Sequence, residues 1–237
     1  MTETHMQRAV RRINEARELG WTGVDLSILE IQEIPEELLK LADTLKWLYF
    51  HHTNVSDISS LADLTNLEDL YFRHTKVSDV SSFANLTKLE KLDLGYTNVT
   101  DVSPLADLKK LKWLDLSNTG VSDLSPLANL KYLKELYLRK TSVSDLSPLA
   151  NLKYLKELYF REANVSDISP LAELTKLQTL DLDYTNVSDI SPLAHLTSLK
   201  RLDLLNCPLV ESPANTEALK KLRENGCKIY GTKEFVT

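Results

Sequence analysis

The chain has 237 residues, with 34 acidic and 28 basic side chains and a net charge of −6. This acidic balance argues against a nucleic-acid partner, and the absence of any run of 18 apolar residues argues against a membrane-spanning helix. The two cysteines, Cys207 and Cys227, are too few for a disulfide framework.

The first 44 residues predict a helical cap followed by an irregular unit. Within residues 1–20, Met6, Val10, Ile13 and Leu19 recur at roughly helical spacing, and Gly20 is a plausible end of the helix. Residues 21–44 then form a degenerate first repeat of 24 residues.

Residues 45–211 repeat with a period of 22 residues. The general form of one unit is L-x-x-L-x-L-x-x-T-x-V-S-D-I-S-P-L-A-x-L-x-x. Its first part alternates with period two, which predicts a short strand with one buried face. The V-S-D-I-S-P-L-A part predicts a tight turn and a single helical turn. One such strand cannot bury its apolar face alone, so the units are expected to stack into a parallel sheet over a continuous leucine core.

The leucine register ends after Leu204, and residues 212–237 are predicted to form a C-terminal cap. Ser212 and Pro213 are expected to begin a helix that runs to Asn225 and stops at Gly226. Residues 227–230 predict a last extended segment. The whole chain is therefore expected to be a single domain.

The repeat resembles the bacterial, internalin-like class of leucine-rich repeats in its length and in the placement of its leucines, over about residues 21–230. The resemblance implies an α/β solenoid: a curved, right-handed horseshoe or arc with about nine parallel strands on its concave face. Short helical turns would lie on the convex face, and helical caps at both ends. The N-terminal segment RINEAREL…VDLSILEIQEIPEELLKL is also similar to the repeat arms of Roco-type GTPases, although no GTPase motif is present.

Internalins proper are exported, whereas the N-terminus of this chain is charged throughout and has no apolar signal core. A cytoplasmic location is therefore expected. The alternative is an exported protein whose N-terminal signal has been removed.

An aspartate occupies position thirteen of seven successive repeats: Asp57, Asp79, Asp101, Asp123, Asp145, Asp167 and Asp189. We interpret each one as a cap that accepts backbone N–H groups from the turn that follows. A calcium-binding row is the alternative, but calcium-binding repeat arrays need glycine-rich turns, and the chain has only six glycines.

Position nine is predicted to bond to buried backbone groups at the bend after each strand. Its residues are small and mostly carry a hydroxyl: Thr53, Thr75, Thr97, Thr119, Thr141, Ala163, Thr185 and Cys207.

Motifs for chemistry are scarce. His51, His52 and His74 form a histidine cluster in which His52 and His74 should be adjacent, and two adjacent imidazoles can hold a metal. Exposed residues on a binding face are the preferred interpretation. The sequence has no phosphate-binding glycine loop and no G-x-S-x-G motif. We therefore expect no catalytic activity, no metal and no cofactor.

The outward positions of the predicted sheet vary from repeat to repeat and hold two clusters of aromatic and basic residues. One cluster comes from the first two regular repeats and the other from the middle of the array, with Trp113 and acidic residues between them. Glu135 and Glu157 are expected to orient Arg139 and Arg161. The predicted partner-binding residues are Trp47, Tyr49, His51, Tyr71, Arg73, Trp113, Asp115, Glu135, Tyr137, Arg139, Glu157, Tyr159, Arg161, Asp181 and Asp183.

Tyrosine, tryptophan and arginine are enriched among the residues that dominate protein interfaces. The sequence therefore predicts a monomeric, non-catalytic module that binds a partner protein. The alternatives are a glycan or small ligand stacked on the same aromatic side chains, and a structural or regulatory arm of a larger assembly. An anionic partner is a minor alternative, because lysines gather at the turns that lead into the strands: Lys109, Lys110, Lys112, Lys131, Lys134, Lys153, Lys156 and Lys176.

Overall fold

A computed structural model describes residues 3–232. It contains one parallel sheet of ten strands whose order in space follows their order in the chain. The strands are β1 Gly23–Asp25, β2 Trp47–Tyr49, β3 Asp69–Tyr71, β4 Lys91–Asp93, β5 Trp113–Asp115, β6 Glu135–Tyr137, β7 Glu157–Tyr159, β8 Thr179–Asp181, β9 Arg201–Asp203 and β10 Lys228–Tyr230. The predicted parallel sheet is confirmed, and the predicted last extended segment adds the tenth strand.

Equivalent repeat positions lie side by side across the sheet. Leu48 pairs with Leu70 and Leu70 with Leu92, and the same offset of one repeat continues to β9. In every unit from residue 45 to 198, positions one, four, six, eleven, fourteen, seventeen and twenty are buried, as predicted. These residues form one continuous core. Because side chains alternate along a strand, positions three, five and seven face away from it.

A helix lies at each end of the sheet, as predicted. Helix α1, His5–Glu18, is capped by Thr4 and Gln7, whose side chains each accept a backbone N–H from the other. It buries Ala9, Ile13 and Ala16, whereas Leu19 lies beyond its last turn and is exposed. Of the four apolar residues noted in the sequence, Ile13 is therefore buried, Met6 and Val10 are partly buried, and Leu19 is exposed.

Helix α2, Pro213–Glu224, begins after Ser212, whose hydroxyl accepts the N–H of Asn215. The chain leaves it through Gly226, which adopts a φ of +82°, a left-handed conformation that glycine reaches without steric cost. Within residues 3–232, neither α1 nor α2 combines the length and hydrophobicity that a bilayer-spanning helix requires.

After each of the strands β1–β8 the chain returns to the sheet through a short 3₁₀ helix that starts at a serine or, in the first unit, at Glu36. All seven aspartates at position thirteen accept the N–H of the serine two residues further on, at 2.8–2.9 Å. This confirms the capping interpretation. The N–H and hydroxyl of Ser59 lower the pKa of Asp57, and equivalent serines do the same for Asp79, Asp123, Asp145 and Asp167.

The hydroxyl row at position nine has its predicted role in most units, but the buried hydroxyl of Thr53 has no hydrogen-bond partner among the described residues. Five threonines donate to the carbonyl three residues earlier, at 2.6–2.8 Å: Thr75, Thr97, Thr119, Thr141 and Thr185. The thiol of Cys207 donates to the carbonyl of Leu182. Ala163 lacks this bond, and its unit keeps the same bend through a backbone contact between the Ala163 N–H and the Phe160 carbonyl.

Position eight, directly after each strand, has a left-handed backbone in all nine units. The residues are Ile28, His52, His74, Tyr96, Asn118, Lys140, Glu162, Tyr184 and Asn206, with φ between 54° and 64°. Such a φ is costly for side chains other than glycine, asparagine and aspartate, and most costly for a β-branched one. The turn after each strand is therefore held by its hydrogen bonds against local strain.

Ile28→Asn is expected to stabilise the protein by about 1 kcal/mol, because asparagine tolerates the left-handed region and the Ile28 side chain is exposed. Asn118 and Asn206 already occupy this position in other repeats. Chemical denaturation measures the change. Leu19→Asn is the control, since Leu19 is also exposed but has a φ of −91°. An equal gain from both variants would show that loss of exposed apolar surface, and not backbone strain, is responsible.

Candidate functional site

The outward side of the sheet, which we call the strand face, consists of positions three and five of β2–β9 and position seven just after each strand. Its main feature is an aromatic belt, a chain of seven neighbouring rings: Trp47, Tyr49, His51, Tyr71, Trp113, Tyr137 and Tyr159. Successive centroids lie 4.5–6.1 Å apart. The belt runs from β2 to β7, about 24 Å at the usual strand spacing.

Trp113 joins the two clusters that the sequence suggested were separate. Its ring centroid lies 6.1 Å from that of Tyr71, two strands away, and 5.4 Å from that of Tyr137. The prediction of two clusters was therefore wrong, because an indole is long enough to reach across the intervening strand β4. The belt is one surface.

The first ring of the belt, that of Trp47, occupies the space that a side chain at residue 23 would fill. A Cβ on Gly23 would overlap the indole of Trp47, so the ring packs directly against the backbone of β1. Trp47 is 37% exposed. Arg12 and Trp21 complete a shallow pocket beside it, with a volume of about 260 Å³.

The belt ends at β6 and β7 with the pair Tyr137 and Tyr159, whose rings stack with centroids 4.5 Å apart and planes within 5°. The Tyr159 hydroxyl donates to Glu157 at 2.6 Å, and the Tyr137 hydroxyl donates to Glu135 at 3.3 Å. Burial and the nearby glutamate raise the pKa of Tyr137 to about 12 and raise the pKa of Tyr159 further. Both phenols therefore stay protonated donors at neutral pH.

Aspartates replace the tyrosines at position five in β4, β5, β8 and β9, and their side chains lie below the surface. Asp93 and Asp115 are 5% and 6% exposed, and Asp181 and Asp203 are equally buried. Asp93 accepts the Gly95 N–H at 2.9 Å, and Asp115 accepts the Ser117 N–H at 2.7 Å. Position five thus alternates in pairs along the sheet: two tyrosines, two aspartates, two tyrosines, two aspartates.

The arginines at position seven extend across the neighbouring strands and form ion pairs with these buried carboxylates. Arg73 Nη1 lies 2.7 Å from Asp115 Oδ2, two strands away, above Gly95, whose missing side chain leaves room for it. Arg139 Nη2 lies 3.3 Å from Asp181 Oδ2, also two strands away. Their guanidinium groups lie 4.6 Å and 4.8 Å from the ring centroids of Tyr96 and Tyr159.

Arg161 lies 3.5 Å from Asp183 and 3.8 Å from Glu162. The expectation that Glu135 and Glu157 orient Arg139 and Arg161 was therefore wrong. Positions three and seven of one strand are about 13 Å apart, and the tyrosine at position five lies between them. The glutamates bond to the tyrosines, while the buried aspartates hold the arginines.

Asp93 titrates unusually: burial and the adjacent Asp115 raise its pKa to about 7. Between pH 4 and 7 the folded protein therefore keeps a proton that the unfolded chain releases, so the free energy of unfolding should fall as pH rises through this window. The free energy of unfolding is expected to decline by about 2 kcal/mol over this window. This is less than the full linkage energy of about 1.4 kcal/mol for each unit of pKa shift, because surrounding groups relax when the carboxylate ionises.

Asp93→Asn should remove most of this decline, as measured by urea denaturation at pH 4, 5.5 and 7.5. Asp123→Asn is the control, since Asp123 is exposed and its serine contacts lower its pKa, so the decline above pH 4 should persist. An unchanged pH profile in Asp93→Asn would show that another group is responsible.

The histidines lie at the N-terminal end of the strand face. His52 and His74 stack with centroids 4.4 Å apart, and His74 stacks on Tyr96 at 4.2 Å, so their predicted adjacency is confirmed. Within the described part of the chain, no group of three or more His, Cys, Asp or Glu side chains is arranged to hold a metal ion. Burial lowers the pKa of His51, which favours a neutral ring in the belt.

The lysine-rich turns lie at the edge of the sheet where the strands begin. Tyr132 and Tyr154 are exposed there with centroids 6.0 Å apart, and Lys176 lies 4.0 Å from the Tyr154 centroid. Lys112 pairs with Glu90 at 2.6 Å. Part of this positive charge is therefore neutralised within the chain.

Two comparisons place these features in a family. The family model described as Leucine Rich repeats (2 copies) matches residues 43–85, 65–107, 87–129, 109–151 and 175–221. The structure of internalin C2 from Listeria monocytogenes is 31% identical, with a TM-score of 0.74 over 83% of this chain and 91% of that chain. The chain is an internalin-like leucine-rich repeat protein.

More distant structures share the leucine-rich repeat fold. Internalin inlF from Listeria monocytogenes is 24% identical, with a TM-score of 0.52 over 97% of this chain and 91% of that chain. The plant peptide hormone receptor RGFR1, in complex with RGF2, is 18% identical, with a TM-score of 0.66 over 76% of this chain and 31% of that chain. A comparison with curated protein sequences finds no match. The resemblance of the first segment to Roco-type arms stays a prediction.

Proposed function

We propose that this internalin-like protein is a non-catalytic module that binds a partner protein through the strand face, with the aromatic belt as the central contact. The observation that carries the proposal is the continuity of the belt, in which partly exposed rings from five strands form one chain of contacts across β2 to β7. Leucine-rich repeats are typical of protein-binding modules, and the RGFR1 structure holds such a repeat in complex with RGF2.

Cross-strand stacking alone also stabilises a sheet, but it does not account for the composition of the belt. Two tryptophans and four tyrosines offer a large contact area at a low cost in side-chain entropy. The hydrogen bonds of Tyr137 and Tyr159 and the ion pairs of Arg73 and Arg139 fix these side chains in advance. A surface ordered in this way loses little freedom on binding.

The proposed contacts divide by depth. The belt, with Glu135 and Glu157, would touch the partner directly, and the guanidinium groups of Arg73, Arg139 and Arg161 would flank it. The buried carboxylates of Asp115, Asp181 and Asp183 would act by holding those arginines in place.

Replacing Tyr137 and Tyr159 together with alanine should abolish capture of the partner from a native lysate, with each truncation costing about 2 kcal/mol of binding free energy. Folding should be retained, because both side chains face away from the leucine core. The control is Lys131→Ala with Lys153→Ala, which removes two exposed side chains from the turns that lead into the same two strands. Loss of binding in the lysine pair alone would move the functional surface to the basic edge. Capture that a free sugar abolishes would support the glycan alternative.

A further inference from the structure

The acidic residues of strands β2–β9 differ in whether a cationic side chain of the same chain lies beside them. Most of them lie within 4 Å of a cationic side chain: Asp69 with Lys91, Asp93 and Asp115 with Arg73, Asp181 with Arg139, and Asp203 with Arg201. Among the residues that the structure describes, Glu135 and Glu157 have no such cation, although both carboxylates are only half-buried.

Glu135 and Glu157 occupy paired positions of neighbouring parallel strands, about 4.8 Å apart along the sheet. Two like charges at this spacing repel each other and destabilise the sheet. Each carboxylate accepts one tyrosine hydroxyl through a single oxygen, and its other oxygen has no hydrogen-bond donor within the described chain. The arginines just after the same two strands, Arg139 and Arg161, are held by buried aspartates.

Aromatic faces lie directly beside these carboxylates. The stacked rings of Tyr137 and Tyr159 come next along the same two strands, and the Trp113 ring lies 5.4 Å from Tyr137. A guanidinium group stacks favourably on such rings. It also presents a planar fork of donors that matches carboxylate oxygens, which a lysine ammonium does not.

We infer that the partner inserts an arginine side chain at this point, with its guanidinium group packed against the Tyr137 and Trp113 part of the belt and its N–H groups donating to Glu135 and Glu157. The inference rests on the proposed function and names the chemistry that the partner must carry at the β6–β7 end of the belt. Charge complementarity carries it: the bound arginine supplies the cation that these two acids lack.

A random peptide library displayed on phage, selected against the immobilised full chain, tests the inference. Peptides whose binding requires Tyr137 and Tyr159 should contain an arginine. In a synthetic copy of such a peptide, replacing that arginine with citrulline, which is neutral and nearly the same shape, should weaken binding about tenfold.

Glu135→Gln with Glu157→Gln should weaken binding of the arginine peptide to the same extent and leave binding of the citrulline peptide unchanged. The matched control is Glu68→Gln with Glu90→Gln, which removes two charges from adjacent repeats where each acid already has a lysine partner. The control should bind the arginine peptide normally.

The outcomes separate this inference from the proposed function. Tyrosine-dependent peptides that lack arginine, or that bind equally well with citrulline, would overturn the inference and leave the strand face as the binding surface. If no selected peptide needs the tyrosines, the proposed function fails and the inference fails with it.

Discussion

Replacing Leu136 or Leu158 with alanine should lower the free energy of unfolding by about 2–5 kcal/mol, from lost burial and the cavity that remains. Both side chains are fully buried in the middle of the array. They are flanked by leucines of the neighbouring strands on both sides, so the surrounding units can collapse only slightly around the gap. Urea denaturation monitored by circular dichroism measures the change.

The control for this pair is Lys131→Ala, an exposed position just before the same strand, where a change within about 0.5 kcal/mol is expected. A loss of similar size in the control would mean that the circular dichroism signal does not report on the core. A near-zero cost for both leucines would contradict the strand register.

Asn215→Ala should cost about 3 kcal/mol, because Asn215 ties the start of the C-terminal helix to the last repeats through three side-chain bonds. Its Oδ1 accepts the Ile190 N–H at 2.8 Å, and its Nδ2 donates to the carbonyls of Ser188 and Val210 at 2.9 and 2.7 Å. Asn215 is 1% exposed, so its loss leaves buried backbone groups without partners, each worth about 1–3 kcal/mol.

Hydrogen exchange should show where this energy is lost: the amides of α2 and β10 should exchange faster in Asn215→Ala, while those of β4–β6 stay protected. Thr216→Ala is the control, since Thr216 is exposed and its hydroxyl bonds only to Ser212 within the same helix turn. Uniformly faster exchange along the array would show that the C-terminal cap and the repeats unfold as one unit.

The core and the turns could be predicted from the sequence because their causes recur in every unit. The period fixes which leucines are buried. The aspartate accepts a hydrogen bond from the serine two residues further on, and this local bond can be predicted without knowledge of the rest of the fold. The same holds for the threonines at the bend. These predictions depend on residues close together in sequence.

The strand face was harder to predict because its contacts depend on side-chain reach across strands. Nothing in the spacing shows that Trp113 spans β4 to meet Tyr71, or that Arg73 passes Gly95 to meet Asp115. The paired alternation of tyrosines and aspartates at position five was a signal that could have revealed these contacts. The left-handed position eight carried no signal, because no glycine occupies it and residues as unlike as Ile28 and Glu162 do.

The reach of Arg73 and Arg139 across two strands also limits how this array can change in length. Solenoid stability is usually described by nearest-neighbour coupling between units, but these two ion pairs couple the units of Arg73 and Arg139 to the second unit along. Deletion of residues 89–110 would keep the leucine core in register yet place Tyr137, not Asp115, two units from Arg73. Gain or loss of four repeats at a time would preserve the pattern at position five. The strand face can therefore change in length only by four repeats at a time, whereas the leucine core can change by one.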